Sequence, residues 1–370
     1  MKIKMLDLNQ QYLSLKEDLI EKLNEVMMST NFILGSNVKK LEDDVAKYSK
    51  ARYGVGVGNG SDAIHIALQA AGVGEGDEVI TSSFTFFATG GAIARANATP
   101  VFVDIDPDTF NIDPQKIEEA ITNKTKAIIP VHLYGQMADM EVIKEIAEKH
   151  NLVVIEDAAQ AIGAKRNGKT VGELGTAATY SFFPTKNLGA YGDGGMIVTD
   201  NEEVAENARV IRVHGSKPKY HHHVLGYNSR LDELQAAILN VKFPHLEKWS
   251  AARRERANYY TQHFNDMLKD IVTTPIEKEG NYHVYHQYTL RVPDRDALQA
   301  YLKEQGIATM IYYPIPLHMQ PVFSDLGYSD GDLPHAEKAA KEVLSLPMYP
   351  ELEKEKQDYV IEKIVNFYKK

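Results

Sequence analysis

Between about residue 50 and residue 212, short apolar runs alternate with amphipathic stretches. The runs at 53–57, 78–82, 100–104, 126–132 and 152–156 are rich in valine and isoleucine and carry almost no charge inside. Strands buried on both faces of a parallel sheet have this texture. Between them, 61–71, 87–97, 113–121 and 139–150 repeat their apolar positions at helical spacing. Ser61, Asp113 and Asp139 each stand where a helix N-cap is expected. Two further runs, 179–183 and 195–199, have too little chain between them for a helical crossover. One antiparallel strand is therefore predicted in an otherwise parallel sheet, and the whole reads as an α/β domain of about seven strands.

After Asn228 the texture changes. Residues 231–264 predict one or two long helices interrupted near Pro244. A strand at 287–292, a helix at 294–305, a strand at 309–313 and a helix at 333–343 follow, which makes a smaller α+β domain. The division falls between residues 245 and 246: 1–245 as the large α/β domain with an N-terminal helical arm, and 246–370 as the small one. No internal repeat and no linker of biased composition interrupts the chain.

Composition narrows the function classes. With 370 residues, 44% hydrophobic and 25% charged, the chain has ordinary globular make-up and length for a substantial core. A formal net charge of −10 disfavours general binding to nucleic acid. The absence of cysteine excludes disulfides, thiolate zinc sites, iron–sulfur clusters and thiol nucleophiles. The N-terminal residues show no signal-like apolar stretch, and no run is long enough to span a bilayer. The expectation is a soluble, cytoplasmic protein without a membrane partner. The histidine run 221–223 has no acidic partner at ligand spacing nearby, so no metal site is read there.

In α/β sheets, ligands gather beyond the carboxyl ends of the strands, so the residues there carry the chemistry. After the first strand, Gly58-Asn59-Gly60-Ser61-Asp62 opens a helix. Such a turn either caps the helix or offers backbone N–H groups to a phosphate. After the second, Ser83-Phe84-Thr85-Phe86-Phe87 puts aromatics where they serve as core or as a stacking face. After the fifth, Asp157 is a helix cap or the counter-ion of a buried cation. After the sixth, Lys186 lies in a loop rich in Pro, Gly and Asn. It is a solvated lysine or, desolvated near Asp157, an amine able to form a Schiff base. Together, Asp157 and Lys186 match what pyridoxal 5′-phosphate requires: an imine-forming lysine, an acid for the pyridine nitrogen, an apolar face and helix-start donors for the phosphate.

The segments GNGSDAIHIAL, GDEVITSSFTFFAT, VFVDIDPDTFNID, AIIPVHLYGQ, VIEDAAQAIGA, YSFFPTKNLGAYGDGGM and YNSRLDELQAAIL stand in one order along the chain. On them the chain resembles the DegT/DnrJ/EryC1/StrS family of sugar aminotransferases, which has the aspartate aminotransferase-like fold (fold type I). The resemblance implies a mostly parallel seven-stranded sheet and these roles. Lys186 is the Schiff-base lysine and proton shuttle, and Asp157 pairs the pyridine nitrogen. Gln160 lies near the ring hydroxyl and Phe86 stacks on the ring. Ser61, Asp62 (through its backbone) and Ser181 hold the phosphate. Asn228 reaches the phosphate from the neighbouring subunit, so a homodimer with shared sites is implied. Tyr312, Tyr313, His318 and Arg230 are the residues set around the sugar. Many relatives carry His-Tyr-Pro where this chain has Tyr312-Tyr313-Pro314, which leaves the sugar open.

The activity implied is transfer of an amino group, from glutamate as donor, to a keto group of a nucleotide-linked sugar. The segments around Lys186 and Asn228 resemble members that aminate position 3 of a hexose; the 4-keto position and the nucleotide (dTDP or UDP) are left open. A dehydratase of the same family would replace the lysine by histidine, and Lys186 argues against it. A non-catalytic regulator is a third possibility, but no helix-turn-helix with a basic recognition helix is present.

Overall fold

The computed structural model describes residues 1–369. Its main sheet has seven strands: β1 (Tyr53–Val57), β2 (Glu78–Ser82), β3 (Thr99–Val103), β4 (Thr125–Ile129), β5 (Val153–Asp157), β6 (Ala177–Ser181) and β7 (Gly195–Thr199). Their order across the sheet is β1-β7-β6-β5-β4-β2-β3. β7 runs antiparallel to both neighbours, and the pairings β6-β5, β5-β4, β4-β2 and β2-β3 are parallel. The predicted lone antiparallel strand is thus β7.

Alternate side chains of each strand feed two different cores. Val79, Ala127, Ile129, Ile155, Ala177 and Ile197 pack with helices α3 (Gly60–Ala70), α4 (Phe87–Arg95) and α7 (Glu202–Ile211). Ile80, Ile128, Val154, Ala178, Met196 and Val198 pack on the opposite face with α2 (Ser36–Tyr48), α6 (Met140–His150) and α8 (Glu233–Lys242). Burial on both faces is why the strands read as unbroken apolar runs.

Several boundaries differ from the sequence reading. β6 starts two residues earlier than expected, because Ala177 and Ala178 pair with Ile155 and Glu156. The strand therefore ends at Ser181, and residues 182–194 are free to form the loop that carries Lys186. The N-cap of α3 is Asn59, not Ser61: Asn59 Oδ1 accepts from Asp62 N–H at 2.8 Å. Asp113 does cap α5 (Pro114–Glu119), accepting from Gln115 N–H. Asp139 stands at the N-cap of α6 as expected, but its side chain makes no capping bond and pairs with Arg166 at 2.9 Å.

Beyond Asn228, the break near Pro244 is a short 3₁₀ turn, Phe243–His245, between α8 and α9 (Leu246–Leu268). The strand expected at 309–313 is replaced by a single bridge from Met310 to Ser345. The true partner of β8 (Tyr288–Arg291) is β9 (Val343–Leu346), a strand that the sequence pattern does not announce and whose first residue falls at the end of the helix expected at 333–343. The last helix, Lys354–Tyr368, was not anticipated. A separate core collects residues of α9, β8, β9 and the last helix, and Ile3 joins it through a bridge to Ile307. We propose to keep the division at 245/246 on the strength of that core, with the first residues of the chain packing in the small domain.

One buried network supports the active edge of the sheet. His132 Nδ1 accepts from Ala138 N–H, so its Nε2 donates to Glu156 Oε2 at 2.8 Å, and both side chains are fully buried. Glu156 Oε1 accepts from the N–H groups of Gly172 and Gly175. Hydrogen bonds to a charged acceptor contribute roughly 1.5–3 kcal/mol each. Glu156→Gln sets an amide donor against the His132 donor and is expected to cost about 2 kcal/mol. Urea unfolding checks this, and an unchanged midpoint would show the network to be idle.

Candidate active site

The carboxyl ends of β5 and β6, the start of α3 and the segment before β8 enclose a cavity of about 1070 Å³. Ser61, Phe86, Asp157, Gln160, Ser181, Lys186, Tyr312 and Tyr313 line it, as do Arg253, His286 and Gln287. Asp62, Asn228, Arg230 and His318 are not on its wall in this chain.

Asp157 ends β5 and is 5% exposed. Its Oδ2 accepts from Thr89 Oγ1 at 2.8 Å and its Oδ1 from Ala159 N–H at 3.2 Å. No α-helix begins after it, which removes the helix-cap alternative. Among the described residues it has no ion-pair partner, so a buried carboxylate faces the cavity without a cation in contact. Such a group is costly unless a cation is supplied. A protonated pyridine ring is such a cation.

Lys186 sits in the loop after β6, where its N–H is bound by the Phe183 carbonyl. Loss of solvent pulls its pKa from the ordinary 10.5 down to about 8, while the Asp157 charge pulls the other way. The amine is thus available in neutral form near physiological pH. Uptake of pyridoxal 5′-phosphate by the apoenzyme needs that neutral amine. Its rate is expected to rise about tenfold per pH unit up to about pH 8 and to level off above, because the folded pKa lies below the unshifted value. A rate still climbing at pH 10 in stopped-flow measurements would show an unshifted lysine.

The start of α3 is shaped for an anion. A Cβ on Gly60 would lie 2.6 Å from Ser181 Cβ, so only glycine lets the helix approach the end of β6 so closely. Among the described residues, Gly60 and Ser61 have no partner for their N–H groups, which lie in the first turn where the helix dipole favours negative charge. For Asp62 the structure corrects the expectation. Its N–H is taken by Asn59 Oδ1, and its carboxylate accepts from Ser229 Oγ at 2.8 Å.

Phe86 is 56% exposed, an apolar ring open to the cavity and 5.9 Å from the ring of Tyr313. Gln160 is clamped: Oε1 accepts from Tyr134 N–H and Nε2 donates to Tyr313 Oη at 3.1 Å. Tyr134 in turn donates its hydroxyl to the Tyr312 carbonyl. These residues fit a flat, cationic, phosphorylated ring.

His318, expected near the sugar, is buried away from the cavity. Its Nδ1 meets Ser83 Oγ at 2.6 Å and its Nε2 meets Glu337 Oε1 at 3.2 Å. The arrangement has the outline of a hydrolase triad, but Ser83 is fully buried, and the group ties residues 317–337 to the end of β2. Arg230 lies beside Asn228 and donates to its Oδ1; Asn228 itself is exposed.

Residues 13–365 match the model of the DegT/DnrJ/EryC1/StrS aminotransferase family. The chain belongs to this family. Its members use pyridoxal 5′-phosphate. A pleiotropic regulatory protein of Geobacillus stearothermophilus is 71% identical over 369 residues, covering 100% of this chain and 99% of the relative. A UDP-N-acetyl-3-dehydro-α-D-glucosamine 3-aminotransferase of Acidithiobacillus ferrooxidans is 47% identical, over 95% of this chain and 94% of its own length. Among solved structures, DesV of S. venezuelae superposes with a TM-score of 0.97 at 39% identity, covering 100% of this chain and 99% of that one. The chain is an aminotransferase with the fold type I architecture. Among its described residues, no helix is long and apolar enough to cross a membrane.

Thr89, Arg253, His286 and Gln287 belong to the site or its wall and were not singled out from the sequence. Thr89 was signalled by its place one turn after Phe86, on the helix that faces the end of β5. Arg253 lies in the long helix α9, His286 and Gln287 stand just before β8, and no local pattern marks any of the three.

Proposed function

We propose that this aminotransferase moves an amino group from L-glutamate to the keto group at position 3 of a nucleotide-linked hexose, in amino-sugar biosynthesis. The observation that carries the reading is the desolvated Lys186 amine sharing a cavity with the buried, unpaired Asp157 carboxylate. The name of the Acidithiobacillus relative supports position 3 and a UDP-linked sugar.

Pyridoxal 5′-phosphate, when bound, supplies an electron-withdrawing ring and a carbonyl that takes up and later surrenders the amino group. The residues of this chain divide the remaining work. Asp157, oriented by Thr89, would hold a proton on the ring nitrogen. Gly60 and Ser61 N–H groups and the Ser181 hydroxyl would hold the phosphate. Phe86 would shield the ring from water. Lys186 Nζ takes the donor's Cα proton as a general base, and in the second half-reaction returns a proton to the sugar carbon that bore the ketone. Tyr312 and Tyr313 shape the sugar side of the cavity.

The decisive experiment incubates the holoenzyme and glutamate with 3-keto and 4-keto sugars linked to UDP or dTDP, with mass spectrometry of the products. Amination of a 3-keto sugar supports the reading; amination only of a 4-keto sugar moves the position. The name of the Geobacillus relative suggests a regulatory reading instead, which inactivity on every sugar would favour.

The reading includes a cytoplasmic homodimer in which Asn228 completes the partner's phosphate site. The exposed Asn228, next to the exposed Val224 and Leu225, is where such a contact would form. Mixing Lys186→Ala with Asn228→Ala protein under subunit exchange is expected to restore activity. Each mixed dimer then has one site with both lesions and one with neither. No recovery despite exchange would place Asn228 in its own subunit's chemistry.

A further inference from the structure

The cavity wall carries a histidine to which the reaction above gives no role. His286 lies two residues before β8, is 8% exposed and lines the cavity together with Lys186. Asn187, the residue after Lys186, is buried and bolts the lysine loop to that segment. Its Nδ2 donates to the Val284 carbonyl at 3.2 Å, and its Oδ1 lies 3.2 Å from His286 Nδ1.

These two bonds decide a tautomer. With the amide nitrogen committed to a carbonyl, the amide oxygen can only accept, so His286 Nδ1 must carry the hydrogen. Nε2 keeps a bare lone pair and has no protein partner among the described residues. The ring also stays neutral. Burial, the Lys186 charge and the Arg253 guanidinium all push its pKa well below the usual histidine range. Arg253 donates to the His286 carbonyl itself, and to those of Tyr285 and Met348. His283 does not share this setting: its Nδ1 accepts from Tyr285 N–H and its ring stacks on Tyr285.

We propose that His286 is a positioning residue for Lys186: its bare Nε2 accepts a hydrogen bond from the Lys186 amine and turns the amine's lone pair toward the reacting carbon, while Asn187 fixes the tautomer that makes this possible. A neutral amine has two hydrogens and one lone pair. Tying one hydrogen to the wall sets the direction of the lone pair, and a ring that does not protonate cannot compete for the proton that Lys186 moves. The proposal rests on the aminotransferase role given to Lys186 above. Wild-type enzyme that aminates no sugar would fail that role, whereas the variants below fail or support this one alone.

The test uses His286→Leu, His286→Gln and Asn187→Ala in the full chain, with thermal melting and cofactor content as controls. His286→Leu is expected to lower kcat about tenfold or more, the equivalent of one lost hydrogen bond. KM for glutamate and for the sugar should stay within about threefold, and the kinetic isotope effect with α-deuterated glutamate should rise. Glutamine offers an acceptor oxygen and should recover most of kcat. Independently of activity, ¹⁵N-histidine NMR of wild-type apoenzyme should report His286 as the neutral Nδ1–H tautomer, identified by its absence in His286→Gln. Asn187→Ala should redistribute that tautomer. An imidazolium or an Nε2–H tautomer in the wild type would overturn the proposal. So would equal damage in the leucine and glutamine variants, a loss confined to KM, or no loss at all.

Discussion

Lys186→Ala is expected to abolish turnover while leaving the fold and the cavity in place. In the proposed reaction Lys186 Nζ moves the donor's Cα proton, and positioned acid–base catalysis contributes about 10²–10⁴-fold. Loss of the covalent attachment to the cofactor comes on top, so kcat should fall at least to the lower end of that range. Borohydride treatment of wild-type holoenzyme should fix the cofactor to the peptide that contains Lys186, and peptide mapping reads this directly. Label on any other lysine, or near-normal turnover in the variant, would remove Lys186 from the reaction. The variant should still bind pyridoxamine phosphate, because Gly60, Ser61, Ser181 and Asp157 are untouched.

Asp157→Asn is expected to bind cofactor yet lose most of its activity. The amide is nearly isosteric and can keep the Thr89 contact, so packing changes little. An amide cannot hold a proton on the ring nitrogen, and the ring then withdraws electrons poorly. One charge-assisted hydrogen bond is worth roughly 1.5–3 kcal/mol, or on the order of 10- to 100-fold in rate. The lost electron withdrawal adds to that. The fall should appear in kcat for both half-reactions, measured by single turnover with glutamate and with the keto sugar separately. Turnover within a few fold of wild type would reduce Asp157 to a structural acceptor.

The parts of the fold that could be read ahead were those in which local pattern and tertiary role coincide. β1, β2 and β7 were placed to the residue, because strands packed on both faces leave uninterrupted apolar runs between turn residues. β6 was misplaced because Phe182 and Phe183 look like strand residues, whereas the weakly marked Ala177 and Ala178 pair with β5. β9 was hidden because its pairing with β8 joins residues far apart in sequence, and Val343 continues the apolar spacing of the helix before it.

The site divides the same way. That Asp157 and Lys186 come together in one cavity could be read ahead because each follows a strand end and their combined chemistry is specific. His318 was misjudged because its sequence surroundings resemble a sugar-contacting segment, while its ring is consumed by Ser83 and Glu337. His286 was not legible because its significance lies in a bond to Asn187 across the two domains, which no local spacing records.

The bridge from Ile3 to Ile307 has a consequence for synthesis of the protein on the ribosome. The segment around Ile3 leaves the ribosome well before the core in which it has its place is complete. At about 5–20 residues per second, the roughly 300 residues between the two partners take roughly 15–60 s to appear. During that interval the large sheet can close, while Ile3 and its neighbours wait with an apolar side chain exposed and a strand edge unpaired. Replacement of Ile3 by a polar residue would act on this docking step, lowering the yield of folded chain.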